Sequence, residues 1–190
     1  MLSDVLAAVT SARGLERTLV VSPDSAALRL AARLGAEPMV ERGRPGYRSA
    51  ARQAAGEAAA AGAAGLLVIP ADLPWLTAVD VEALLSQSGE ASVTLAPAND
   101  GGGTNALLSR PPGAIPFLYG HDSFRAHLRV AEERCLGIAI VERVGLGLDV
   151  DEAEDLRRLL ERERPGDLTA TRQCISEIDL RTRLACRGTS

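Results

Sequence analysis

The sequence contains no lysine; all 21 of its basic side chains are arginines. That excludes a Schiff base and a compact ammonium charge at any phosphate site. Aromatic residues make up only 3% of the chain, so its core must be built from alanine, leucine and valine. Cysteine is nearly missing too. Cys135, Cys174 and Cys186 are odd in number and lack metal-ligand spacing, which reads as reduced thiols in a cytoplasmic protein. No apolar run approaches membrane-spanning length and no signal-peptide pattern opens the chain, so no membrane partner is expected. A net charge of -4 provides no basic face for broad nucleic-acid contact. What remains is 190 residues, 46% hydrophobic and 24% charged, enough for one domain with a sizeable core.

Short buried runs alternate with helical periodicities almost throughout. Leu2, Val5, Leu6 and Val9 mark a first helix, and Thr18–Ser22 and Ala36–Val40 read as strands either side of a helix opened by Pro23 and Asp24. An alanine-rich helix from about Tyr47 to Ala61 leads into Leu66-Leu67-Val68-Ile69, four apolar residues typical of a strand covered on both faces. Further strands are expected at Ser92–Ala96, Ala106–Leu108 and Gly137–Val141, with helices ending near Leu85, over Ser123–Arg134 and over Glu152–Glu161. The pattern predicts an α/β fold with a mixed, mostly parallel sheet. Pro165-Gly166 closes the domain, expected to span 1–170, and 171–190 reads as a weakly ordered tail.

Two carboxylates in this pattern lack a structural role. Asp72 follows the buried strand between two prolines, where ligands of open α/β sheets bind. Thr77 and Asp80 already cap the next helix, so Asp72 is spare: either a solvated loop residue or part of a metal or phosphate site. Asp151 and Glu154 have capping-box spacing, which leaves Asp149 spare at a strand end. Two such carboxylates would suit a magnesium ion bound to substrate phosphates. The run Asp100-Gly101-Gly102-Gly103-Thr104-Asn105 is either a flexible hairpin or a backbone cradle for an anion. Gly120-His121-Asp122-Ser123 opens a helix, as an ordinary cap with Asp122 or as an anion site. His127, on an apolar helix face, reads as a buried, hydrogen-bonded histidine rather than a base, and no Ser/His/Asp or Cys/His nucleophile is present.

These stretches resemble the guanylyltransferases that activate 2-phospho-L-lactate or phosphoenolpyruvate with GTP in the biosynthesis of the deazaflavin coenzyme F-420. The resemblance covers roughly Met1 to Ala170. It rests on Pro70-Ala71-Asp72-Leu73-Pro74, Asp100 to Leu107, Tyr119 to His127 and Leu148-Asp149-Val150-Asp151. It implies a three-layer nucleotidyltransferase fold, like glycosyltransferases of the A type. It also implies Asp72 and Asp149 as catalytic magnesium ligands, and Thr104, Gly120 and Ser123, with Gly102, Gly103 and Asn105, as the site for the small acid. The implied partners are GTP and a phosphorylated carboxylic acid, and the oligomeric state is open, a homodimer included.

Three departures accompany the resemblance. The family's usual first strand and its Lys/Arg loop do not precede the helix at Met1, so the sheet is expected to lack that strand. An internal methionine taken as the start, or an inactive paralogue, would account for this. Gly46-Tyr47-Arg48 stands where Gly-Leu-Asn is usual near the nucleotide, leaving Arg48 to reach a phosphate, and His121 replaces a usual proline. The competing readings are a nucleotidyltransferase for another small phosphorylated substrate and a non-catalytic chain that binds a phosphorylated acid or a partner subunit.

Overall fold

The computed structural model describes residues 1–99, 101–161 and 169–178. Its elements alternate as the periodicities require: α1 (Leu2–Ser11), β1 (Leu19–Ser22), α2 (Ser25–Arg33), β2 (Glu37–Val40), α3 (Tyr47–Ala60) and β3 (Leu66–Val68). Then follow α4 (Ala78–Gln87), β4 (Val93–Pro97), β5 (Thr104–Ser109), α5 (Ser123–Glu133), β6 (Ile138–Ile140), α6 (Val144–Gly147), α7 (Ala153–Glu161) and α8 (Ala170–Glu177).

The strands form two sheets. β1 and β2 pair in parallel, and a second sheet has the order β3-β5-β4-β6. Within it β4 and β6 are parallel, whereas β5 runs antiparallel to both β3 and β4. Only β5 is reversed in this sheet. Helix α3 packs on both β1 and β3 and so bridges the two sheets.

Side chains alternate across β5, so neighbours on that strand enter different cores. Leu108 joins Leu73, Leu84 and Leu146 beside α1 and α4, while Leu107 joins Leu95, Phe117 and Ala131 beside α3 and α5. The sheet is therefore sandwiched between helices, a three-layer arrangement. All six residues of β5 are buried, and Thr104 and Asn105 belong to it. They were expected in the loop before it. The β4–β5 ladder reaches Pro97 paired with Thr104 across a bulge at Ala96/Pro97, which extends the strand to both polar residues.

Asp80 supports the predicted start of α4: the Thr77 side chain accepts from Asp80 N–H, and the Asp80 carboxylate accepts from Thr77 N–H. Arg143 also donates to the buried Asp80 at 2.9 Å, tying α4 to the segment entering α6. At the other end of the chain, residues 171–177 are helical, where the sequence suggested a loose tail. The Asp4 carboxylate is the reason. It accepts from the N–H groups of Ala170 at 2.7 Å and Thr171 at 2.9 Å, at the positive end of α8. Ile175 then packs on Leu159 and Leu160. The remainder of the expected tail, 179–190, lies outside the described residues, as does Asp100.

Candidate active site

Buried Leu73 anchors the turn that follows β3, leaving Asp72 half-buried beside it. Val150 N–H donates to the Asp72 carbonyl at 3.2 Å, stitching this turn to the segment that carries Asp149 and Asp151. One Asp72 carboxylate oxygen, Oδ1, is buried without a hydrogen-bond partner. Burial raises the Asp72 pKa, and the negative charges of Asp151 and Asp149 raise it further against a backbone hydrogen bond that lowers it. Three carboxylates thus gather on one wall of the site, close enough for two of them to act on the third.

The position of Asp149 needs correcting. β6 stops at Ile140 and α6 intervenes, so Asp149 stands on the α6–α7 connection rather than at a strand end. Gly147 fixes the approach to it. Asn99 N–H donates to the Gly147 carbonyl at 2.8 Å, and a Cβ at Gly147 would lie 2.3 Å from Asn99 Oδ1. Asp151 was assigned to a capping box, but Asp155 takes that work. The Asp155 carboxylate accepts from the N–H groups of Asp151 at 3.2 Å and Glu152 at 3.0 Å. Asp151 borders the pocket instead. Sequence reasoning missed it because one acid was credited with the cap that another provides.

The opposing wall is neutral. Thr104 from β5 meets Ser123 and His127 from α5: the Ser123 hydroxyl donates to Thr104 Oγ1 at 3.1 Å, and His127 Nδ1 lies 3.0 Å from the same oxygen. Leu118 N–H donates to His127 Nε2 at 2.8 Å. His127 is fully buried, and burial first, then the Arg48 charge, push its pKa down to about 4, so the imidazole stays neutral at pH 7. The glycine run packs this wall together. Gly102 C=O accepts from Phe124 N–H at 3.0 Å, and Gly103 C=O accepts from Ala98 N–H at 3.0 Å. Here the run closes a hairpin and also brings Gly103 to the pocket. Asp122 occupies the N-cap of α5 without capping through its side chain, which lies 3.9 Å from Arg125 instead.

Between these walls lies a cavity of about 870 Å³, bordered by Asp72, Asp149, Asp151, Asn105, Gly120 and the Thr104–Ser123 pair. Arg44, Arg48 and Arg52 form its basic side. The Arg48 guanidinium donates to the Tyr119 carbonyl through Nε, and its Nη2 lies 3.0 Å from where a Gly120 Cβ would stand. Gly120 also adopts φ +152°, so two constraints select glycine there. Sequence reasoning picked out Arg48 alone; the four-residue spacing of Arg44, Arg48 and Arg52, with the latter two on one face of α3, was the available signal.

Solved structures show whose fold this is. A nucleotide-diphospho-sugar transferase structure from Desulfovibrio desulfuricans superposes with a TM-score of 0.73 at 18% identity, over 94% of this chain and 81% of that one. A Mycobacterium tuberculosis protein crystallised with manganese matches with a TM-score of 0.62 at 22% identity, over 84% and 86%. The fold is that of the nucleotidyltransferases. Sequence comparison narrows this: the family described as "Guanylyl transferase CofC like" matches residues 1–183. The chain is 44% identical over 160 residues to the phosphoenolpyruvate guanylyltransferase of Rubrobacter xylanophilus, covering 84% of this chain and 77% of that protein. It is 38% identical over 160 residues to the 2-phospho-L-lactate guanylyltransferase of Methanothermobacter thermautotrophicus, covering 84% and 70%. The chain belongs to the CofC-like guanylyl transferase family.

Proposed function

We propose that this chain condenses GTP with a small phosphorylated carboxylic acid, releasing pyrophosphate, and that the acid is phosphoenolpyruvate or 2-phospho-L-lactate on the route to coenzyme F-420. One observation carries the reading at the level of residues. A single cavity sets an acidic wall, on which Asp72 keeps a buried oxygen without a partner, against a wall of neutral hydroxyl groups, with arginines beside both. The names of the relatives support the choice of nucleotide and acid.

The acidic wall fits a divalent cation. Asp72 has a buried carboxylate oxygen with no partner, and its pKa is raised by burial and by two neighbouring acids, as expected of oxygen ligands lacking their positive charge. Among the described residues no three His, Cys, Asp or Glu groups are gathered into a metal cage. A hard cation here would take substrate oxygens for much of its shell, as magnesium prefers. In this reading Asp72 and Asp149 would hold magnesium, which would supply positive charge against the phosphates.

The chain's own groups then act by position. Thr104 and Gly120, helped by Gly102, Gly103 and Asn105 and with Ser123 bonded to Thr104 in support, hold the phosphate and carboxylate of the acid. Arg48, with Arg44 and Arg52, faces the triphosphate. The acid's phosphate oxygen attacks the α-phosphorus of GTP, a new P–O bond forms, the bond to the β-phosphate oxygen breaks, and pyrophosphate leaves. No protein nucleophile is required, since alignment and charge stabilisation carry such a transfer.

The test is pyrophosphate release from GTP, followed with phosphoenolpyruvate and magnesium present together and each omitted in turn. Release is expected only with both. Release that ignores the acid would overturn the proposal, and tight binding of the acid without release would favour a non-catalytic binding protein.

A further inference from the structure

The neutral wall holds more information than its contacts alone. His127 is fully buried, so its two ring nitrogens must be satisfied by the groups around them. Leu118 N–H is a donor only, and it points at Nε2 from 2.8 Å. Nε2 therefore carries the lone pair, and in a neutral imidazole the proton then sits on Nδ1. Nδ1 lies 3.0 Å from Thr104 Oγ1, so this N–H donates to the threonine oxygen. Ser123 donates to the same oxygen from 3.1 Å. A hydroxyl oxygen has two lone pairs, and both are now taken. The Thr104 hydroxyl hydrogen is left with only one role, donation, and Thr104 borders the cavity. Asn105, its neighbour on β5, also borders the cavity, with a buried side-chain NH₂ that has no partner.

We propose that His127 is a positioning residue that fixes the Thr104 hydroxyl as an obligate hydrogen-bond donor, so that this wall accepts an anionic oxygen and rejects a ligand presenting an N–H or O–H there. The inference rests on the reading of Thr104 as part of the acid site and adds the element that gives it polarity. Backbone geometry writes the code: the Leu118 amide sets the imidazole tautomer, the tautomer sets the threonine rotor, and the rotor selects the ligand atom. His127 touches no substrate in this scheme.

Two measurements test it. The first is ¹⁵N NMR of histidine-labelled protein. The chain has only two histidines, so the His121→Gln variant leaves His127 as the single signal. The expected spectrum is that of a neutral Nδ1–H imidazole at pH 7; a neutral Nε2–H ring or an imidazolium overturns the proposal. The second is a set of steady-state constants. Asparagine can keep a side-chain N–H near the place of Nδ1, whereas leucine cannot. His127→Leu is expected to raise the KM for phosphoenolpyruvate about tenfold or more, the scale of a hydrogen bond to a charged group, with little change in kcat or in the KM for GTP. His127→Asn is expected to recover most of that loss. In a Thr104→Val background, His127→Leu should add almost nothing, because the pair acts through one hydroxyl. Equal defects in the Asn and Leu variants, or additive effects with Thr104→Val, overturn the positioning role. If Thr104→Val itself leaves the KM for the acid unchanged, the assignment of the acid site fails instead, while the NMR result still decides the tautomer.

Discussion

The two walls of the cavity solve opposite problems. On the hydroxyl wall, Thr104, Ser123 and His127 satisfy one another, and a neutral histidine below them holds the network still. On the acidic wall, Asp72 is left with a buried, unpartnered oxygen and two like charges near it. The first wall is ordered by the protein and keeps donor hydrogens, on Thr104 and Asn105, for a ligand. The second keeps an acceptor, the Asp72 Oδ1, without a partner. That contrast sets a donor surface against an acceptor surface across one cavity, and the two should answer differently to mutation.

The largest expected effect breaks the acidic wall. Asp72→Asn should lower the rate of pyrophosphate release by about 10² or more, as loss of a charged group aimed at the reacting phosphate does. The same change should leave the melting temperature equal or higher, since it removes a buried, repelled charge. Activity assays and thermal unfolding on one preparation check both halves. Lost activity accompanied by a marked fall in melting temperature would make Asp72 a structural residue.

Breaking the other wall should look different. Thr104→Ala and Ser123→Ala are each expected to raise the KM of the acid about tenfold, with a smaller effect on GTP, and also to destabilise the fold by about 1 kcal/mol, because each leaves a buried partner unsatisfied. Initial-rate kinetics with each substrate varied, together with urea unfolding, check this. A selective rise in the KM for GTP would mean that the two substrates bind the opposite way round.

The walls also differ in how far they could be read before the structure was known. Asp72 stood out because Thr77 and Asp80 visibly supply the next cap, an argument that needs only local spacing. The same kind of argument misfired at Asp151. Spacing allowed both Asp151 with Glu154 and a contribution from Asp155, and backbone geometry alone chose Asp155. His127 announced its burial through helical periodicity, yet its partners Thr104 and Leu118 lie 23 and 9 residues away, so its tautomer was invisible. The division into two sheets was equally hidden, since apolar runs report burial and not which strand edges meet. The alternation of elements was legible because periodicity is local; β5 began earlier than expected because pairing with Pro97, a non-local contact, extended it.

The smallest expected effect sharpens the comparison through pH. His127 has a folded pKa of about 4, below its ordinary value of 6.5, because burial and the Arg48 charge disfavour the imidazolium. Between those values the unfolded chain binds more protons than the folded one, so this group's contribution to stability rises with pH and is lost as pH falls. Retention is nearly full at pH 7.5, and from there down to pH 6 the loss should reach only about 1 kcal/mol. Asp72 works in the opposite sense: its folded pKa is raised, so protonation on acidification relieves the acidic wall. Urea unfolding of the wild type and of His127→Asn at both pH values isolates the histidine, because Asp72 is common to both proteins. A smaller loss in the variant is the expected result. Equal pH dependence in the two proteins would show that the hydroxyl wall is not built on a neutral histidine.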